Sequence, residues 1–99
     1  MNPKSKQLYR LLQKISKGKL TTYGILAQKL RTNPRAVGRL LNKNPHPGKY
    51  PCYKVVLSSG KICGYSSGIR KKISLLEKEG IFVKNGKIVD FHRIIFRFR

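Results

Sequence analysis

Residues Leu20–Lys43 read LTTYGILAQKLRTNPRAVGRLLNK, and the fold turns on how this stretch divides. Thr21 or Thr22 is placed to cap a short helix in which Ile25, Leu26 and Leu30 form an apolar stripe. The triplet Arg31-Thr32-Asn33 then reads as a turn. Pro34 suits the first position of a further helix, where its fixed φ is already helical and no N–H is lost. Val37, Leu40 and Leu41 share one side of that helix. Two short helices joined by a tight turn make a helix-turn-helix pattern.

Upstream, Leu8, Leu11, Leu12 and Ile15 recur at three- and four-residue spacing across Ser5–Ser16, with Lys, Gln and Arg between them, which predicts an amphipathic scaffold helix ended by Gly18. Downstream the texture changes. Asn42–Cys52, NKNPHPGKYPC, holds three prolines and a glycine in eleven residues, an ordered loop with little backbone entropy to lose. YKVVL (Tyr53–Leu57) and KICGY (Lys61–Tyr65) flank a Ser-Ser-Gly turn and read as two short strands. Ser66 or Ser67 is a candidate cap for a helix running through Glu79, with Ile69, Ile73, Leu75 and Leu76 as its apolar positions. In the tail, Asn85-Gly86 sits between two β-prone runs and signals a hairpin.

Ninety-nine residues make one domain. The two cysteines and two histidines have no CxxC or HxxxH spacing, so a structural zinc site is excluded, no metal is expected, and both thiols read as reduced. No signal peptide and no run of about 20 apolar residues is present, which points to a cytoplasmic, nucleoid-associated protein that does not bind membranes. The chain carries 23 Lys and Arg against Glu77, Glu79 and Asp90, a formal charge of +20. Internal ion pairs cannot neutralise such a chain, so nucleic acid is the expected partner. Charge alone does not separate ribosomal, chromatin-packing, regulatory and repair proteins.

The stretch YPCYKVV (Tyr50–Val56) narrows the choice, because a cysteine between a proline and a tyrosine on a stiff loop reads as a presented thiol. From about Ser5 to Gly80 the chain resembles the C-terminal catalytic domain of the O6-alkylguanine-DNA alkyltransferases, the methylated-DNA-protein-cysteine methyltransferases. Four patches agree in order and spacing: TTYGILA (Thr21–Ala27), RAVGRLLNKNP (Arg35–Pro45), PCYKVV (Pro51–Val56) and GYSSG (Gly64–Gly68), the last followed by a helix ending LLEKEG (Leu75–Gly80). The resemblance implies a mainly α, winged-helix-like DNA-binding domain with a helix-turn-helix, short strands and a C-terminal β-hairpin. It implies no cofactor, and the usual N-terminal domain of the family is not expected here.

It also implies site residues. Cys52 matches the acceptor that takes the alkyl group from O6 of guanine and keeps it, so that each molecule reacts once. An ordinary thiol is only a few per cent thiolate at pH 7 and needs a proton acceptor. Asn44 matches the asparagine that ties the active-site loop to the helix-turn-helix, and Glu79 matches the carboxylate that polarises the proton path. The family usually reads Pro-Cys-His-Arg, whereas this chain has Tyr53 and Lys54. A phenol is a poor base at neutral pH, and losing a general base commonly costs about 10²- to 10⁴-fold. Tyr53 can still hold a bridging water while Glu79 takes the proton. His46 is a candidate substitute base, although an exposed loop histidine is the plainer reading.

For DNA handling, Arg35 matches the arginine that fills the gap left by an extruded guanine, and Tyr23 the tyrosine that presses on the adjacent phosphate. Ala36 and Gly38 match the small face of a helix inserted into the minor groove; close helix packing is the bland alternative. Leu41, Pro47, Tyr65 and Ser66 match the pocket for the flipped base, with Leu41 and Tyr65 equally readable as core. Lys72, near the Tyr23 phenol, is the candidate proton source for the leaving guanine. Cys63 matches no functional position and reads as structural. The expected partner is double-stranded DNA containing O6-alkylguanine, bound by a monomer. One rival is the alkyltransferase-like class, which flags lesions without reacting but replaces the cysteine by Trp or Ala. A second, a DNA-packing or regulatory protein, explains the charge but not Asn44, Cys52, Tyr65 and Glu79 together.

Overall fold

The expected scaffold helix is α1, Pro3–Lys14, and its buried face is Leu8, Tyr9, Leu11 and Leu12 together with Ser5. The computed structural model of the chain describes residues 3–44, 49–62 and 68–98. Ile15 continues the buried face just past α1, and Gly18 follows at φ 81°, where a glycine turns the chain back without strain. Strand β1 is Thr21–Thr22, and α2 runs Tyr23–Leu30. Thr22 is the cap: its Oγ1 accepts from Ile25 N at 3.1 Å. Arg31 closes α2 in the left-handed region, and α3 follows at Pro34–Asn42 with Pro34 in its first turn. A second cap is present there, since Asn33 Oδ1 accepts from Ala36 N at 2.9 Å. The helix-turn-helix is therefore built as the sequence predicts.

Beyond α3 the first expected strand pairs with β1. A short 3-10 turn, Cys52–Lys54, leads into β2, Val55–Val56, which lies parallel to β1 with Thr21 opposite Val55 and Thr22 opposite Val56. The Ser58-Ser59-Gly60 reversal forms, closed by Leu57 N donating to Lys61 O at 3.0 Å, and of the second expected strand only Lys61 and Ile62 fall among the described residues. Lys61 bridges Lys87, and Ile62 N donates to Gly86 O at 2.9 Å. A Cβ on Gly60 would stand 3.0 Å from Phe91 Cγ, so the glycine is where the tail packs against the turn.

Helix α4 spans Ile69–Lys78. The expected serine cap is not found; the cap position is Gly68, at φ 97° and without a side-chain bond, while Ser66 and Ser67 lie outside the described residues. The apolar stripe also needs correcting, because Ile69 is 47% exposed and Lys72 is 1% exposed. The C-terminal hairpin is present as β3, Val83–Lys84, and β4, Lys87–Ile88. Asn85 and Gly86 both have positive φ, as a two-residue hairpin turn of this kind requires. A last helical turn, α5, Phe91–Ile94, has no counterpart in the sequence reading. After it, Phe96 N donates to Leu20 O at 2.7 Å and Leu20 N to Ile94 O at 3.0 Å, laying the tail beside Leu20.

Two cores result. One gathers α1, α2 and α3 with Cys52 and Val55; the other gathers Leu20, Val56, Leu76, Ile81, Ile88 and Phe91. Successive strand residues face opposite ways, so Val55 and Val56 nail β2 into both cores at once. Cys52, three residues earlier, is buried in the first core.

Candidate active site

Cys52 opens the 3-10 turn as a free thiol, 7% exposed. Its backbone N donates to Tyr50 O at 2.7 Å, and Asn44 Nδ2 donates to that same carbonyl at 2.8 Å. Asn44 stands just past α3, so a single acceptor joins the loop before the cysteine to the helix-turn-helix. The Tyr50 ring stacks on Tyr9 of α1, with centroids 4.6 Å apart and planes 9° apart, and Tyr9 OH donates to Leu40 O of α3 at 3.2 Å. Burial, then the neighbouring Cys52 and Tyr50, pushes the Tyr9 phenol above its ordinary value and keeps it a donor.

On the other side of the thiol, Tyr53 OH donates to Glu79 Oε2. The other carboxylate oxygen, Oε1, accepts from Gly18 N at 3.0 Å and pairs with Lys54 Nζ at 2.8 Å. Lys54 is only 4% exposed, and its ammonium also donates to Ile15 O at 3.4 Å and Ser16 O at 3.2 Å. All three of its protons thus have acceptors, two of them carbonyls just past the end of α1. Burial alone would raise the Glu79 carboxyl; the hydrogen bonds from Lys54, Tyr53 and Gly18, with the Lys54 charge, outweigh it and hold the carboxyl below its ordinary value. An ionised carboxylate with a phenol proton aimed at it draws that proton outward. The phenol oxygen is then a better acceptor on its remaining lone pairs.

The other expected site residues are distributed as follows. Lys72 is buried, and its Nζ donates to Val55 O at 2.7 Å. Tyr23, first in α2, is half-buried against the main core, with its ring over Gly38: a Cβ on Gly38 would lie 3.9 Å from Tyr23 Cε1. Arg35 is exposed in the first turn of α3, and Ala36 and Gly38 are half-buried. Leu41 is 8% exposed and belongs to the same core cluster as Cys52. His46, Pro47, Cys63, Tyr65 and Ser66 lie outside the described residues.

Three participants escaped the sequence reading. Lys54 registered only as a departure from a motif, although a lysine running straight into Val55-Val56 in a chain with three acids signals a buried charge seeking one of them. Tyr9 sits one position off the leucine stripe of α1, and its partner Tyr50 is 41 residues away in sequence, so neither the stack nor the Gly18 amide had a local signal.

Residues 3–81 match the family model described as 6-O-methylguanine DNA methyltransferase, DNA binding domain. The methylated-DNA–protein-cysteine methyltransferase of Thermococcus kodakarensis is 46% identical over 82 residues, which is 82% of this chain and 47% of that protein. A bifunctional methyltransferase/endonuclease of Picrophilus torridus is 46% identical over 91 residues, 90% of this chain and 30% of that protein. The chain therefore spans less than half the length of these relatives. Among solved structures, S. pombe Atl1 in complex with damaged DNA containing O6-carboxymethylguanine superposes with a TM-score of 0.80 at 25% identity, covering 99% of this chain and 98% of that one. A winged, helix-turn-helix frame, a buried thiol on the loop tied to it and a match over residues 3–81 agree: the chain belongs to the 6-O-methylguanine DNA methyltransferase family, through that family's DNA-binding domain.

Proposed function

We propose that the protein repairs O6-alkylguanine in duplex DNA by transferring the alkyl group to Cys52, once per molecule. The observation that carries this reading is the Tyr53–Glu79 hydrogen bond beginning one residue after a free, loop-tied cysteine. The Cys52 sulfur attacks the alkyl carbon; a carbon–sulfur bond forms as the carbon–O6 bond breaks, and that electron pair leaves with the guanine. The thiol proton passes through a water to the Tyr53 oxygen as the phenol proton moves toward Glu79. Tyr53 is thus a relay in place of a base, and Glu79, already ionised, is the acceptor behind it. Lys72 supplies the proton to the leaving guanine, and Tyr23 presses on the adjacent phosphate.

A thiol that is 7% exposed cannot reach O6 in a stacked base, so the nucleotide must leave the helix. Arg35, exposed at the start of α3, occupies the gap; Ala36 and Gly38 let that helix approach the groove closely. Leu41 contributes to the pocket for the base, to which the resemblance also assigns Pro47, Tyr65 and Ser66, outside the described residues. The protein acts as a monomer. Intact-protein mass after incubation with an O6-methylguanine duplex tests the reading: one methyl should appear, on the peptide containing Cys52, and Cys52→Ser should abolish the gain while sparing binding. The likeness to Atl1 over nearly the whole chain supports a second reading, lesion recognition without transfer. Tight binding to the lesion with an unchanged mass would select it.

A further inference from the structure

The tail after α5 makes a surface that none of the reactions above uses. Phe96 and Phe98 pack on the main core and meet edge-to-face at 5.0 Å, so alternation along the extended tail turns Arg97 outward, where it is exposed. Arg97 borders two adjoining clefts. One, of about 310 Å³, runs between Gly24 and Gln28 of α2, Ser58 and His92; the other, of about 350 Å³, continues along α2 past Gln28 to Lys29. The first is closely built: Ser58 Oγ stands 2.8 Å from where a Cβ on Gly24 would be. None of the chain's three acids lines either cleft, and among the described residues the Arg97 guanidinium has no hydrogen-bond or ion-pair partner.

We infer that this cleft between α2 and the C-terminal tail is a second contact for the DNA backbone, with Arg97 gripping a phosphodiester outside those engaged by α3. The inference rests on the DNA-binding part of the proposed function. In a helix-turn-helix the second helix enters a groove while the first crosses the sugar-phosphate backbone. Helix α2 is the first helix here, so a strand crossing it passes the clefts that Arg97 borders. Hydroxyl, amide and imidazole groups along the walls suit phosphate oxygens, and a planar guanidinium matches two of them at once. The matched family domain ends at residue 81, so this contact belongs to the tail that follows it.

The test is equilibrium binding of an O6-methylguanine duplex across a salt series by wild type, Arg97→Ala, Arg97→Lys and Lys84→Ala, the last removing one exposed charge from the hairpin. Each phosphate neutralised contributes roughly 0.9 to the log-log salt slope. Arg97→Ala should therefore lower the slope by about one, Arg97→Lys should restore most of it, and Lys84→Ala should leave it at the wild-type value. An unchanged slope in Arg97→Ala, or an equal fall in Lys84→Ala, overturns the inference. Methyl uptake by wild type, read by mass in the same samples, reports separately on the repair reaction: its absence beside the expected slopes would sink the transfer reading and leave the backbone contact standing.

Discussion

Tyr53 stands where the resemblance leads to histidine, and its hydroxyl donates a hydrogen bond to Glu79. If the phenol relays, Tyr53→Phe keeps the ring and removes the relay, and single-turnover transfer should slow by about 10²-fold or more. Tyr53→His should then change the rate little at neutral pH. If the phenol is merely a poor base, Tyr53→His should instead accelerate transfer by about tenfold or more, and the two variants together decide between these accounts. Lys54 is tested through stability. Removing one partner of a buried ion pair strands the other, typically at about 3–5 kcal/mol. Because Tyr53 and Gly18 still donate to Glu79, Lys54→Met should fall near the lower figure, about 3 kcal/mol by urea unfolding. The pH dependence has a definite sign: the native Glu79 carboxyl lies below its ordinary value, so its contribution is fully present above the usual glutamate range and is lost as pH falls through the lowered native value. Melting temperature should hold from neutrality down to about pH 5 and drop below about pH 4. Glu79→Gln should blunt that acid drop while lowering stability at neutral pH.

Among the elements, the loop before the cysteine is where structure and chemistry separate. Asn44→Ala removes the side-chain donor to Tyr50 O, worth about 1 kcal/mol of stability. Its effect on transfer should be larger than that, since the freed loop no longer places the thiol relative to α3; comparing melting with single-turnover rate shows the difference. Arg35→Ala should slow repair of duplex far more than reaction with free alkylguanine base, because only the duplex requires extrusion. What the sequence disclosed about these elements follows their range. Thr22, Pro34 and Asn85-Gly86 act within three or four residues of themselves, so the helix-turn-helix and the hairpin were legible. The partner of Val55-Val56 is chosen by contacts more than 30 residues away, and nothing local to the turn Ser58-Ser59-Gly60 showed Phe91 packing on Gly60. Helix α4 misled for a related reason: a lysine at an inward position is indistinguishable from a solvated one until its acceptor, Val55 O, is in view. Of the site, Cys52, Asn44 and Glu79 were readable through their motifs, while Lys54, Tyr9 and Gly18 join it only through tertiary contacts.

At the scale of the whole molecule, a charge of +20 dominates solution behaviour. Self-repulsion should be relieved by counterions, so the melting temperature of the free protein should rise between low and moderate salt while DNA affinity falls steeply over the same interval. A flat affinity across that interval would contradict the electrostatic account. The short parallel pair of β1 and β2 has a different consequence. Because Val55 belongs to one core and Val56 to the other, no partial opening of either core alone frees both amides, and their hydrogen exchange should proceed only through global unfolding. The thiol three residues upstream sits on a loop whose hold is a handful of hydrogen bonds and one ring stack. Reaction of Cys52 with a small thiol reagent should therefore outpace exchange at Val55 and Val56 by orders of magnitude in the same sample, so that the thiol breathes on a clock of its own while the strand that follows it keeps the time of the entire fold.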